Sequence, residues 1–353
     1  MGNNAVDVSA IQAYCQEHQQ EILTKALVGA EELKHLNVIP GVTDRYIMTT
    51  LEFGHIMKPY ARAWDPDTDA AELEPRTLRT YLAQVELEEE PLAYRKTAMG
   101  RYLQDGVDPE EHPFEELFIQ EIVNSINNDI VTLSVFYGDR DNAGSSASDL
   151  VKQAADGFFT IIDDEISDGN ISAGNGNLIT TGDITSANAV TKLKAFYRTA
   201  MANSPGYRGK ELKMYISHTV MDAYNDHYQS SNGSLPYNTK FEKTFLEGSG
   251  NKVELVPMTG MGTSKRIILS MRKNMCMGIG TEGDKEEVRI FSPGNPKVMG
   301  FFAAFDIGFQ IAFLGAMWTN ENTIDDDSSS SSASASASAS ASASSSSSAS
   351  GPV

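Results

Sequence analysis

Residues 298–318 read VMGFFAAFDIGFQIAFLGAMW. The run is long enough to suggest a membrane helix. Its internal pattern argues otherwise. Phe301, Ala303, Phe305, Ile307, Phe309, Ile311 and Phe313 are all apolar, whereas the alternate positions include Ala304, Asp306, Gly308 and Gln310. That is period two, which predicts a long strand with one strongly buried face. A charged Asp306 in mid-run would also be costly in lipid.

Upstream of this run lies Met277–Phe291, MGIGTEGDKEEVRIF, in which Gly278, Gly280 and Gly283 have the spacing G-x-G-x-x-G. A dinucleotide-binding loop needs a strand before these glycines and a helix after them, because the pyrophosphate sits on free N–H groups at the helix N-terminus. Residues 266–269 (RIIL) and 275–277 read as extended chain. EEVRIF, after the loop, is short, alternating and β-branched, and it meets the turn cluster Ser292-Pro293-Gly294-Asn295-Pro296. The predicted role of the glycines is therefore to close a β-hairpin.

With 353 residues and a hydrophobic fraction of 41%, the chain is long enough to bury a substantial core. A formal net charge of -20 argues against a DNA-coating surface, since that kind of affinity depends on Lys and Arg neutralising phosphates. Two cysteines, Cys15 and Cys276, lie far apart and suggest neither a disulfide framework nor a zinc site. The N-terminal residues lack the basic and apolar regions of a secretory signal.

Ser9 to about Leu27 reads as an amphipathic helix ended by Pro40-Gly41 after a charged stretch, and Arg45–Phe53 as extended chain. WDPDTDAAELEPRT (64–77) is polar and turn-rich, while TLRTYLAQVELEEEPLAYRKT (77–97) has the composition of a hairpin arm with too few large apolar residues for a core of its own. Such an arm rests on something else. Pro113–Tyr137 carries apolar residues at helical spacing and predicts a helix of roughly 25 residues. A second helix is expected over 150–166, a third over 187–203, a strand at LKMYISH (212–218) and a helix over 219–228, followed by the loop SSNGSLPYNT. Strands alternate with turns from Val253 onward. Residues 325–353 are almost only Ser and Ala after an acidic trio, a composition that does not fold alone.

Catalytic signatures do not assemble. Asp163-Asp164-Glu165 reads either as a carboxylate cluster or as the polar end of an amphipathic helix, and helical neighbours point in different directions. The six histidines never form a metal-binding spacing. Ser217-His218 follows a strand without a G-x-S-x-G elbow, so Ser217 is the expected cap of the next helix. Glu88-Glu89-Glu90 is either a solvated run or a contact to basic residues of a neighbouring copy.

The order of arm, hairpin arm, long helix, mixed central domain and long apolar strand resembles the major capsid proteins of tailed bacteriophages, with the HK-97-type fold. The stretches that carry the resemblance are LVGAEELKHLNVIPGV, EPRTLRTYLAQVELEEEPLAYRKTAMG, AADGFFTIIDDEISDGNIS and KMYISHTVMDAY. It covers nearly all of residues 20–320, through soft local patterns and not through one diagnostic motif. The resemblance implies an α+β fold with an N-terminal arm (1–45) and an extended loop with its return strands (46–100). A peripheral domain with the spine helix (101–140 and 285–324), an axial domain (141–284) and the Ser/Ala tail (325–353) complete it.

It further implies a structural subunit with no enzymatic role, cofactor or metal, which assembles with itself into pentamers and hexamers of an icosahedral shell. That shell would enclose double-stranded DNA without sequence-specific binding, would meet a portal and scaffold or decoration proteins, and would lie in a virion assembled in the host bacterial cytoplasm, away from membranes. Arg62, Trp64, Arg76, Glu88, Glu89 and Glu90 are the expected inter-subunit contacts. An encapsulin-like nanocompartment is the alternative within the fold, and a nucleotide-dependent enzyme using residues 278–283 the alternative outside it.

Overall fold

The computed structural model describes residues 22, 25–27, 29–53, 57, 58, 60, 71–89, 114–233, 244–280, 287–291 and 298–321. All belong to one compact unit, Met1–Asn322, separate from Thr323–Val353. The Ser/Ala tail, most of the predicted helix over 9–27, Arg62, Trp64, Glu90 and Gly283 lie outside the described residues.

In chain order the strands are β1 (Asn37–Pro40), β2 (Arg45–Phe53), β3 (Ala71–Arg79), β4 (Tyr81–Glu89), β5 (Leu178–Ile179), β6 (Leu212–Ile216), β7 (Thr244–Phe245), β8 (Val253–Pro257), β9 (Ile268–Ser270), β10 (Met275–Ile279), β11 (Glu287–Phe291), β12 (Met299–Ile311) and β13 (Met317–Asn320). The helices are α1 (Phe114–Asp129), α2 (Ala147–Lys152), α3 (Phe158–Ser167), α4 (Ala189–Asn203) and α5 (His218–Asn232).

The apolar run organises two sheets. Its first part, β12, is the centre of a five-stranded sheet, with β4 antiparallel on one side and β10 and β11 antiparallel on the other. A short turn, Leu314–Ala316, then releases the chain into β13, which belongs to a six-stranded sheet ordered β5-β13-β9-β6-β8-β7. The predicted strand is therefore real but ends at Ile311. Nor is only one face buried: Ala304 and Asp306 are 5% and 6% exposed, as deep as the aromatic face.

Each face has its own cover. On one, Phe309 meets Phe158 of α3 at 5.6 Å between ring centroids. On the other, the chain itself passes so close that only glycine fits. A Cβ on Gly308 would stand 1.9 Å from Arg79 O, and one on Gly278 would stand 2.9 Å from Leu78 Cδ2. Gly278 and Gly308 are register partners, so two strands together form a saddle for the β3–β4 corner.

The topology corrects the hairpin reading. β10 and β11 do not pair with one another, because each pairs antiparallel with β12, β10 along Ile307–Ile311 and β11 along Gly300–Ala304, and the next described segment after the glycines is strand β11 and not a helix. The strand–turn–helix order that a dinucleotide-binding turn requires is therefore not found among the described residues. Two stretches assigned to the N-terminal arm and to the extended loop with its return strands pair within the five-stranded sheet. Residues 37–40 pair in parallel with β10, and residues 81–89 pair with β12 over nine positions, so both stretches are sheet strands. Residues 81–89 stay half-buried or exposed, so β12 supplies them with backbone pairing and not with burial.

The predicted 25-residue helix is α1 followed by a π turn, Ile130–Ser134, closed by Val135 N donating to Ile130 O at 3.0 Å. The helix expected over 150–166 is two helices, α2 and α3, separated where Gly157 abuts Gly138: a Cβ on Gly157 would lie 2.7 Å from the Gly138 nitrogen. α4, β6 and α5 follow their expected order. α5 extends to Asn232, so Ser230 to Asn232 are helical and not loop, and Gly233 in the left-handed region ends it. α4 and α5 pack on one face of the six-stranded sheet through Leu193, Phe196, Val220, Tyr224, Met214 and Trp318.

Candidate functional site

Among the described residues, the ribbon formed by β2 and β3 is uncovered over its outer part. Its nine register pairs run from Arg45–Arg79 to Phe53–Ala71, a length of about 30 Å. At its root the ribbon is firmly seated. Leu78 is fully buried with Met48, Val42 and Cys276, and Thr80 closes the corner by donating to Val42 O (3.1 Å) and accepting from Asp44 N (3.2 Å). Away from the root it has no core. Leu51 and Leu73 face each other across the ribbon at 52% and 61% exposure, and Ile47 is 65% exposed. Met57 and Tyr60, between the two strands, are almost wholly exposed. A two-stranded ribbon is marginal alone in water, and an exposed apolar stripe on it is an invitation to another surface.

Arg76 fixes the angle at which this ribbon leaves the body. Its Nη2 lies 2.5 Å from Glu165 Oε1 and 3.0 Å from Gln310 Oε1, and its Nε donates to Ile311 O at 2.8 Å. Both charged side chains are about 15% exposed. The guanidinium expected at an inter-subunit contact thus joins three elements of its own chain, β3, α3 and β12. Glu88 and Glu89 stand exposed on β4.

The acidic triplet resolves into separate tasks. Glu165 holds Arg76, and Asp163 meets Arg266 at 2.6 Å. Arg266 is almost completely buried, with its guanidinium 5.3 Å from the Phe159 ring. Asp164 is exposed, and burial of its surroundings together with Asp156, Asp168, Asp163 and Asp139 raises its pKa. The three carboxylates do not converge, and among the described residues no group of His, Cys, Asp or Glu is arranged to hold a metal.

The described histidines bond individually: His35 to Lys213 at 2.8 Å, His218 to Thr259 at 3.2 Å, and His227 Nδ1 accepting from Val190 N at 3.0 Å. Ser217 caps α5 as expected, its Oγ accepting from Val220 N at 3.3 Å. Cys276 is buried and free, and burial raises its pKa. Tyr224, whose hydroxyl accepts from Glu247 N, is pushed up to about 12 by burial.

Arg266 and the glycine saddle were not legible in sequence. A single cation before a strand and two glycines inside strands carry no periodic signal. The exposed Leu51–Leu73 pair depends on register, which the intervening segment conceals.

No protein-family model matches the sequence, and no curated protein matches it. Solved structures do. A chain of the satellite phage P4 procapsid, in a structure including the size determination (Sid) protein, superposes with TM-score 0.53 at 12% identity, over 86% of this chain and 98% of that chain. The Gordonia phage Cozz structure gives TM-score 0.47 at 11% identity over 82% and 85% of the two chains. The holo-SrpI encapsulin complex from Synechococcus elongatus PCC 7942 gives 0.45 at 10% identity, over 83% and 88%. The P4 likeness shows the fold: an α+β, HK-97-like capsid-protein fold across most of the chain.

Proposed function

We propose that this chain is the major shell subunit of a tailed-phage capsid, a structural protein that assembles with itself around double-stranded DNA. The observation that carries the proposal is the ribbon: about 30 Å of paired strand with an exposed Leu51–Leu73 and Ile47 stripe, firmly rooted and otherwise uncovered. A neighbouring copy is the surface that covers it. Closed symmetry then makes many modest contacts cooperative.

In this reading the five-stranded sheet with α1 forms the peripheral domain and the six-stranded sheet with α4 and α5 the axial domain, which gathers at the centres of pentamers and hexamers. Arg62, Trp64, Glu88, Glu89 and Glu90 contact neighbours, while Arg76 aims the ribbon. The acidic chain, with net charge -20, confines DNA without adhering to it. No described helix is long and apolar enough to cross a membrane. The location is the virion shell, assembled in the host cytoplasm with a portal and with scaffold or decoration proteins.

The test is expression of the full chain followed by sedimentation and negative-stain microscopy. Closed shells support the proposal, and rings that never close into shells contradict it. A protein that stays monomeric across concentration and salt, with no assembled form, contradicts it.

A further inference from the structure

The six-stranded-sheet unit carries two surface patches of opposite sign that do not meet within the subunit. The first lies where α4 ends and β6 and β8 begin. Arg198 is exposed on α4, and Arg208, Lys210 and Lys252 are exposed on the connections that lead into β6 and β8, with Glu211 exposed between Lys210 and Leu212. Lys210 N donates to Tyr207 O at 3.0 Å, its ammonium lies over the Tyr207 ring at 4.1 Å, and Leu212 N donates to Lys252 O at 2.9 Å, which keeps these residues together. Arg198 stands before the last turn of α4 and Lys252 belongs to another strand connection, so complementing the helix dipole accounts for neither.

The second patch is the outer face of α5. Its sequence, HTVMDAYNDHYQSSN, contains no Lys or Arg. Asp222 and Asp226 are both exposed and stand four residues apart, a like-charge spacing that disfavours the helix. Among the described residues none of these four cations and neither aspartate enters an ion pair. Lys213–Glu254, Lys265–Asp183 and Arg266–Asp163 are paired within the subunit, whereas the exposed Glu211 enters no ion pair among the described residues.

We infer that the basic patch of one copy docks on the acidic face of α5 in the next, forming a head-to-tail contact between six-stranded-sheet units. Two different patches on one subunit give a heterologous interface, which closes into a ring when the rotation per copy divides a full turn. A second copy fits better than nucleic acid as the partner. The complementary charge is present on the chain itself, and the overall charge of -20 opposes binding to a polyanion. The inference rests on the shell proposal and adds the contact that sets ring formation.

Charge reversal tests it. The variants are Arg198→Glu with Lys210→Glu, Asp222→Lys with Asp226→Lys, and all four together. The critical concentration for assembly is read by light scattering at near-physiological salt, with circular dichroism as the check on folding. Each two-residue variant should raise the critical concentration at least about tenfold, and the four-residue variant should return it to within about threefold of wild type. Asp222→Asn with Asp226→Asn, which introduces no repulsion, should show a smaller rise with an unchanged fold.

A four-residue variant no better than its parents, or two-residue variants that assemble normally, would overturn the contact. Normal assembly of the basic-patch reversal with loss of salt-sensitive DNA retention would assign the patch to DNA instead. The shell proposal is judged on the wild type alone. Wild-type rings without shells would defeat that proposal and leave this contact standing, wild-type shells indifferent to the reversals would defeat this contact only, and neither rings nor shells would defeat both.

Discussion

Gly308→Ala should be among the most damaging single-methyl additions in the molecule. The new Cβ would lie 1.9 Å from Arg79 O, 2.9 Å from Arg79 C and 3.0 Å from Thr80 Cα, all backbone atoms that no rotamer change can move aside. Restoring a carbon contact of about 3.5 Å requires the corner to retreat by roughly 1.5 Å. That corner is held by Thr80 N donating to Asp44 O (3.1 Å), Thr80 Oγ1 donating to Val42 O (3.1 Å) and Asp44 N donating to Thr80 Oγ1 (3.2 Å). Losing three hydrogen bonds worth about 1 kcal/mol each and overpacking the sheet by about 1–3 kcal/mol gives a destabilisation of about 4–6 kcal/mol. Gly278→Ala meets side-chain ends, Leu78 Cδ2 and Thr80 Cγ2, and should cost about 1–2 kcal/mol. Gly206→Ala meets nothing within 4 Å and should change stability by less than about 0.5 kcal/mol. Urea denaturation of the soluble subunit, followed by circular dichroism, reads all three. A Gly308→Ala midpoint close to that of Gly206→Ala would refute the saddle.

Adjacent aspartates should respond oppositely. Asp163→Ala removes the ion-pair carboxylate of the buried Arg266 and should destabilise by about 3 kcal/mol in the same denaturation assay. Asp164→Asn should instead stabilise slightly at neutral pH. Its raised pKa means the native state holds the proton more tightly, so the ionised carboxylate is a penalty present above the raised value. The advantage of Asn should fade on acidification and vanish below about pH 3.8, the ordinary value; an advantage that grew with acid would contradict this sign. Ser217→Ala removes the α5 cap and should lower stability by about 1 kcal/mol, measured by the thermal midpoint. Native Cys276 should resist alkylation until the subunit unfolds, as mapped by mass spectrometry, because its thiol is buried and its pKa raised.

Local periodicity and punctuation made much of the fold legible. Arg45–Phe53 is the strand β2 at the predicted bounds, and the strand–Ser217–helix step appears with its cap. What escaped was non-local. Whether 81–89 is an arm or a sheet strand depends on β12, more than 200 residues away, and nothing in YLAQVELEE announces that partner. The hairpin reading of Gly278 failed for the same reason: β10 and β11 each pair with β12 and not with one another, whereas the glycine itself records a close approach from β3. Even the apolar run misled in one respect. Its small alternate residues, Ala304 and Gly308, suggested an open face, and they are small because a second layer of chain lies against them. For the candidate surface, the arm's lack of a core was legible in composition, but the Leu51–Leu73 pairing needed the register.

The central claim is that the ribbon is completed by a neighbouring copy, and electron cryomicroscopy of the assembled protein tests it directly. The account predicts closed shells in which the ribbon of residues 45–79 lies across the adjacent subunit and Ile47, Leu51 and Leu73 are buried against it. Particles in which that ribbon projects into solvent, or folds back on its own subunit with the stripe covered there, would contradict it.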